Sequence, residues 1–368
     1  MWRLLRNLVL LALLLTGGLK LLLEYAVRQE ATRATAQLAP VAQLRYEGIS
    51  AGLNGSIELT QVSLTPVGHP RDAYAAERLT LATPGPFWLL KRWVAGDNRL
   101  PPTLGVDIVG PRWPAAGLPV ALDGWISPAS LVPFETQGCG VVSHFSLADY
   151  QRMGLNPGKP SEHLDLRYDA DSGALDARAV LRAPGLSTLT LHTELQHFDP
   201  HTATTPDGLR KLHVAQFSLE YVDQDYLQRR NKFCAQQASI DPAAFVEQHV
   251  AAVIAFLQKH DIDPGTDLTK MYKSIVGGSG RVSVLSLPKA GFNAAQIANL
   301  APDELLRQLN VTARYNDAPP VMFRLAFTPR AQTDEAVGAI AQAPVTPPTV
   351  ATATPQPTAP TVDPKPTA

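Results

Sequence analysis

Two cysteines are the residues of this sequence whose pairing would have the clearest chemical consequence. Cys139 and Cys234 are its only thiols, and a cysteine pair in an oxidising compartment is expected to form a disulfide. Closing a loop on the order of 100 residues stabilises a fold by up to about 4–5 kcal/mol in the chain-entropy model. We therefore predict a disulfide between Cys139 and Cys234. The alternative is a pair of buried free thiols.

Three histidines lie close enough in the sequence to suggest a metal site: His192, His197 and His201. Successive side chains of a strand point to opposite faces. His192 would then share a face with Glu194, whereas His197 would share the face of Leu191 and could not reach the same ion. The spacing therefore predicts no metal site.

The run Asp261, Asp263, Gly265 and Asp267 imitates the first half of a calcium-binding loop. Such a loop needs a bidentate acid at its twelfth position, and that position is Tyr272 here. We therefore interpret the run as a turn between two helices.

Arg229 and Arg230 form a pair of guanidinium groups beside Tyr226 and Phe233. Guanidinium forks match the geometry of phosphate oxygens, so the pair is a candidate contact for a lipid phosphate. The alternative is a helix face exposed to solvent.

Sequence motifs of catalysis and of nucleic-acid binding are missing. The run Gly277–Gly280 lacks the G-x-S-x-G spacing and follows a predicted helix instead of a strand. Neither a phosphate-binding loop nor a dinucleotide fingerprint occurs. The net charge of −1 over 368 residues gives no basic excess for nucleic acid. We expect a protein that is not an enzyme, has no cofactor and binds no nucleic acid.

The N-terminal segment predicts a membrane anchor. Arg3 and Arg6 precede the apolar run Leu8–Leu15, and Leu4–Leu23 has about the 20 residues that a helix needs to cross a bilayer core. We assign residues 1–36 to an uncleaved signal-anchor helix and stalk, with the N-terminus cytoplasmic. The alternative is a signal peptide cleaved after Ala34-Thr35-Ala36.

The C-terminal segment 331–368 is rich in Pro, Thr and Ala, which predicts an extended, disordered tail. It would act as a spacer or as a ligand for a proline-reading partner, and the alternative is a solvated tail without a partner. Residues 37–330 remain as the folded domain, with a sub-boundary near 221–240.

Alternating apolar residues predict an antiparallel sheet in the first part of this domain. Asn54-Gly55 is a two-residue hairpin signal, and the alternation shifts by one at Thr60-Gln61, as at a β-bulge. Further alternating runs are Leu79/Leu81, Leu104/Val106/Ile108, Leu164/Leu166/Tyr168 and Leu189/Leu191/Leu195.

A helical period follows. Asp241-Pro242 predicts a helix start, and a second helix is predicted over 266–276. A strand over 281–287, a helix over 302–309 and a hairpin of strands 311–315 and 321–327 complete the prediction. The fold class is α+β, an extended antiparallel curved sheet with a late helical insertion.

Two stretches near the start of the domain resemble the AsmA-like and YdgA-like envelope proteins of Gram-negative bacteria: Tyr46-x-Gly48 with Leu53-x-Gly55-Ser56-Ile57-x-Leu59-x-x-Val62-x-Leu64-x-Pro66, and Ala76-x-x-Leu79-x-Leu81. In these families an N-terminal anchor is followed by a strand, a glycine turn and a second strand of a long curved sheet. The resemblance implies an inner-membrane protein with a periplasmic domain whose apolar face contacts lipid or an envelope protein.

Together these observations lead to the hypothesis of a non-catalytic, single-pass inner-membrane protein in envelope assembly or lipid handling. Its apolar sheet face would contact phospholipid through side chains that include Leu79, Leu81, Leu189 and Leu191. The alternative is an adaptor that recruits a protein partner through its helices or its Pro-rich tail.

Overall fold

The computed structural model describes residues 2–68, 73–95, 100–112, 132–140, 142, 144–202, 205–289, 292–297 and 300–327, and the side chains within α1 from residue 16 onward. The chain from Met1 to Thr328 forms one compact unit. The tail predicted over 331–368 lies outside the described residues.

The described residues form helices and strands in a mixed α+β arrangement, as predicted. The helices are α1 (Trp2–Leu38), α2 (Pro86–Ala95), α3 (Leu147–Arg152), α4 (Pro206–Lys211), α5 (Tyr226–Ala238), α6 (Pro242–Lys259), α7 (Gly265–Gly277), α8 (Ala294–Ile297) and α9 (Pro302–Leu309). The strands are β1 (Ala42–Arg45), β2 (Gly48–Ala51), β3 (Ser56–Pro66), β4 (Tyr74–Ala82), β5 (Thr103–Val109), β6 (Ser161–Asp169), β7 (Ala174–Ala183), β8 (Ser187–Gln196), β9 (His213–Asp223), β10 (Ile262–Asp263), β11 (Arg281–Ser286), β12 (Val311–Tyr315), β13 (Val321–Met322) and β14 (Ala326–Phe327).

A 12-stranded sheet organises the fold. Its order is β1-β3-β4-β5-β6-β7-β8-β9-β11-β12-β13, with β2 also paired to β3, and every pair is antiparallel. Most neighbours in the sheet are also neighbours in sequence, because short turns join antiparallel strands without a crossover. The insertion that carries α5, α6 and α7 separates β9 from β11.

The first hairpin differs from the predicted two-residue turn. β2 ends at Ala51, and the loop Gly52–Gly55 is closed by the Gly52 N–H, which donates to the Ser56 carbonyl at 2.7 Å. Gly55 has φ +85°, and a Cβ at this position would lie 2.5 Å from the backbone of Gly85. Glycine is therefore required both by the turn and by the close approach of the next loop.

The predicted slip in β3 occurs at Gln61, which has a positive φ of 50°. No extra residue enters the strand, since Thr60 still faces Arg78 and Val62 still faces Ala76. A left-handed residue, and not an inserted one, therefore shifts the apolar alternation.

The predicted last hairpin is wrong in its second strand. Val321–Met322 pairs with β12, whereas Ala326–Phe327 pairs with β10 in a separate two-stranded sheet. The segment 321–327 thus leaves the large sheet and joins the turn between α6 and α7.

Helices cover the two ends of the sheet. At one end α1 and α2 pack around β2, where Leu23, Val27, Ala51 and Leu89 form a buried cluster. At the other end a larger cluster joins the sheet to α3, α5 and α6. α6 begins as predicted at Asp241, whose carboxylate accepts from the N–H groups of Ala243 and Ala244.

Within the described residues, none of the helices has by itself the length and hydropathy that a membrane crossing requires. α5 and α6 meet that requirement only when taken together, and they are bent by 93° relative to each other.

Candidate functional site

One line of side chains crosses the large sheet from edge to edge and is apolar throughout. The pairing register places one residue from every strand except β1 directly opposite the next. We call this line the apolar row; its members are Ala51, Ile57, Leu81, Val106, Leu164, Ala179, Leu191, Leu219, Val284, Ala313 and Val321. With strands about 4.8 Å apart, the row is ~48 Å long.

The opposite face of the same strands is polar. The residues next to the apolar row in each strand point to this other face. From β4 to β12 they form the cross-strand line Thr80, Asp107, His163, Val180, Thr190, Glu220, Ser283 and Arg314. Val180 is the single apolar member. The sheet therefore has one apolar and one polar face, which is the pattern of an antiparallel sheet with one face turned to an apolar environment.

The four leucines predicted to face lipid lie on the apolar face. Leu81 and Leu191 belong to the apolar row, whereas Leu79 and Leu189 are two residues away in their strands and lie in the adjacent line. All four side chains are half-buried. Alternation alone was therefore enough to place them on a common face.

That adjacent line contains one acid, Glu162, which stands between Ile108 and Leu181. Its carboxylate accepts a hydrogen bond from the Tyr74 hydroxyl at 3.3 Å. Burial and the Glu162 charge together raise the pKa of Tyr74 well above its usual value. The tyrosine therefore stays protonated and keeps donating to the acid.

An apolar cavity of about 390 Å³ lies at the C-terminal end of the row, between α6, α7 and the sheet. Its volume falls within the roughly 300–1,000 Å³ of ligand cavities. Two row members, Val284 and Ala313, line it together with Val250, Val253, Ile254, Leu257, Leu268, Met271, Ile275, Val282, Phe323 and Leu325. A second cavity of about 250 Å³ shares Pro133, Tyr272, Ile275, Val282 and Val284 with it and extends to Leu219 and Leu189.

The polar side chains of the larger cavity already have hydrogen-bond partners. The Thr269 hydroxyl donates to the Gly265 carbonyl at 2.7 Å, and the Tyr272 hydroxyl lies 2.8 Å from Nε2 of His249. Burial and the nearby Arg230 charge lower the pKa of His249 to about 3, so this imidazole is neutral. The cavity therefore suits a hydrocarbon better than a ligand with hydrogen-bonding groups.

A third cavity of about 260 Å³ lies at the opposite end of the row, between α1, α2 and the sheet. Ile57 and Leu81 of the apolar row line it, together with Val27, Leu89 and Leu104, and two charged residues, Glu30 and Arg92, complete a lining that is otherwise mostly apolar. The row thus joins two apolar cavities, and its middle members Val106, Leu164 and Ala179 are half-buried.

The predicted disulfide is confirmed. Cys139 and Cys234 are bonded, and both are buried. The bond joins the loop before α3 to α5. In the same loop Glu135 is 5% exposed, and its carboxylate accepts hydrogen bonds from the hydroxyls of Tyr150 and Tyr226. The disulfide and this carboxylate therefore hold the same loop against α3 and α5, and Pro133 and Phe134 of this loop line the larger cavity.

The two arginines proposed as a phosphate contact are separated by the structure. Arg230 is fully buried; its guanidinium donates to Oδ1 of Asn231 and to the Glu135 carbonyl. Arg229 lies at the surface and donates to the Gly154 carbonyl at 2.9 Å. The prediction that both guanidinium groups bind one external phosphate is wrong, because the guanidinium of Arg230 is enclosed by the core.

His192 lies between two carboxylates. Its Nε2 atom is 2.8 Å from Oδ2 of Asp176 on the neighbouring strand and 3.9 Å from Oε1 of Glu194, a group whose ligand atoms could hold a metal ion. Sequence reasoning missed Asp176, since only the β7–β8 register brings it opposite Glu194. Both carboxylates are more than 40% exposed, and nothing further in the described residues indicates an ion.

The acidic run connects α6 to α7, as interpreted, but Ile262 and Asp263 form strand β10, and Gly265 and Asp267 already belong to α7. Oδ1 of Asp263 accepts from the Gly265 N–H at 2.9 Å, which is a local turn bond. Tyr272, at the position where a calcium loop needs its acid, lines the larger cavity instead.

Comparison with known proteins finds a similarity for one part of the chain. Residues 170–316 match a family model described as an uncharacterized protein, and no curated protein matches the chain. The matched residues contain β7 to β12, hence the row from Ala179 to Ala313 and most of the lining of both C-terminal cavities; Pro133, which lines both, lies outside the match. This part of the chain is therefore similar to a family whose description assigns no function.

Proposed function

We propose that this protein is a non-catalytic, membrane-anchored lipid-handling protein that holds acyl chains along the apolar row. The observation that carries the proposal is the unbroken apolar row with an apolar cavity at each end. Shielding hydrocarbon from water is favourable by about 0.8 kcal/mol for each buried CH₂ group. A row ~48 Å long can therefore hold an acyl chain without any polar contact.

The anchor belongs to the same proposal. The apolar segment Leu4–Leu23 within α1 would cross the inner membrane, with Arg3 and Arg6 on the cytoplasmic side. A buried disulfide is typical of exported proteins, which supports a periplasmic domain. The resemblance of the segment 46–81 to AsmA-like and YdgA-like proteins favours the same location, and the segment 331–368 would be a disordered tail.

Native mass spectrometry of the full chain, released from detergent micelles, tests this function. We expect the wild-type protein to retain phospholipid. Leu191→Asp should lose most of this phospholipid, because a bound acyl chain would remove water from the new charge in the middle of the row.

The matched control is Thr188→Asp, which introduces the same charge on the polar face of the same strand, opposite Arg182. It should retain lipid like the wild type. Equal lipid retention by Leu191→Asp, at an unchanged unfolding temperature, would contradict the proposal and favour the adaptor function.

A further inference from the structure

The most exposed large hydrophobic side chains of the described residues lie on α1 and α2. Phe87 and Val94 are each 77% exposed, and Leu21 is 70% exposed. Tyr25, 60% exposed, lies one turn after Leu21 on α1. A contiguous exposed apolar surface marks an interaction site more often than isolated hydrophobic residues do.

The exposed residues of α2 share one face. Phe87, Lys91 and Val94 follow at spacings of four and three residues, so they line one side of the helix. Leu89 points into the cluster with α1 and is buried. α2 therefore has an apolar face against the protein and a second face, apolar with a lysine, turned outward.

Contacts with α1 fix the orientation of this outward face. The Trp93 indole N–H donates to Oε1 of Gln29 at 2.6 Å, and the Trp93 and Tyr25 rings meet edge to face with centroids 5.9 Å apart. We call Leu21, Tyr25, Phe87, Lys91 and Val94 the basal patch, since α1 and α2, which pack against each other, carry all five.

The chemistry of the basal patch fits the interface of a phospholipid bilayer. Aromatic residues beside basic residues are typical of helices that lie in this interface. α2 also carries Arg92, whose guanidinium lies 5.4 Å from the centre of the Trp88 ring. Lys91 and Arg92 supply positive charge for anionic headgroups.

The position at which α2 contacts α1 also fits the interface of a bilayer. Gln29 lies six residues after Leu23, the end of the proposed span, which is about 9 Å along a helix. The polar region of a bilayer extends roughly 5–8 Å beyond each side of its hydrocarbon core. Tyr25, about 3 Å beyond Leu23, lies within this region and Gln29 lies just past its outer limit, so the contacts of α2 with these residues place α2 between the headgroups and their outer boundary.

We propose that α2 lies in the headgroup region of the membrane and, with Leu21 and Tyr25, seats the domain on the bilayer through the basal patch. This inference rests on the proposed membrane anchor but not on lipid binding along the apolar row. It gives α2 the role of directing the N-terminal cavity, which α1 and α2 line, toward the membrane surface.

A fluorescent label at a single introduced cysteine tests the basal patch. Both native cysteines are bonded to each other and buried, so Phe87→Cys and Val94→Cys can be labelled selectively with an NBD dye. The control is Leu147→Cys, an apolar residue on α3 that is 61% exposed. Each full-length variant is reconstituted into vesicles of phosphatidylcholine with phosphatidylglycerol.

We expect the dyes at positions 87 and 94 to emit at shorter wavelength and to be quenched by spin-labelled lipid several-fold more than the dye at 147. Pure phosphatidylcholine vesicles should weaken both effects. Solvent-like emission at both positions, in protein that floats with the vesicles, overturns the basal patch alone. Absence of flotation overturns the anchor and the patch together, while lipid retention along the apolar row remains measurable in micelles.

Discussion

At the residue scale, the sequence predicts on which face of a strand a side chain lies but not which residue stands opposite. Leu81 and Leu191 could be assigned to one face because the period of two is a local property. Ala179 and Ala313 could not be recognised as members of the same line, since their place depends on register. The pairing of Asp176 with Glu194 was missed for the same reason.

Asp223 lies at the end of β9, and the loss of folding stability that its buried carboxylate causes can be measured. It is 8% exposed; its Oδ1 accepts from the Tyr221 hydroxyl and the Leu227 N–H at 3.2 Å each. Within the described residues its Oδ2 has no hydrogen-bond partner. Burial raises the pKa of Asp223 to about 6 from an ordinary 3.8.

Because the folded-state pKa is raised, the charged form destabilises the fold above pH 6, and protonation relieves this cost as the pH falls toward 4. We predict that Asp223→Asn gains stability relative to wild type by up to about 3 kcal/mol on going from pH 4 to pH 8. Chemical unfolding of both proteins across this range measures the difference. A difference that stays constant with pH would contradict this account.

At the element scale, helix ends with strong local signals were predictable. Asp241-Pro242 starts α6 and Pro302 starts α9 at the expected residues. For α5 the sequence indicated only a helix face exposed to solvent at Arg229 and Arg230, whereas Arg230 and Asn231 are buried. Their burial depends on partners far away in sequence, such as the Val276 carbonyl, which accepts from Asn231 at 2.6 Å.

The disulfide is predicted to stabilise this packing of α5 against the loop before α3. The double substitution Cys139→Ser with Cys234→Ser should lower the free energy of unfolding by up to about 4–5 kcal/mol. Urea unfolding with and without dithiothreitol measures the effect, and the reductant should change the wild type but not the double variant. A loss below about 1 kcal/mol would mean that the bond adds little to the contacts around Glu135.

At the scale of the whole molecule, the sheet joins two helical ends by a single apolar surface. α1 and α2 cover one end, and α6 and α7 cover the other. The fold class was predictable from the alternation of period two followed by helical spacing. The continuity of the row across the strands was not, because it requires ten consecutive registers to place apolar residues in line.

The central claim is that lipid chains lie along this row and not elsewhere on the sheet. Photo-crosslinking amino acids placed in the full-length protein in cells can test this residue by residue. The positions are Leu81 and Leu191 in the row, with Thr80 and Thr190 as neighbours on the polar face. We predict phospholipid adducts, identified by mass spectrometry, at 81 and 191 and few or none at 80 and 190. Equal capture on both faces, or adducts at 81 and 191 with protein only, would contradict the account.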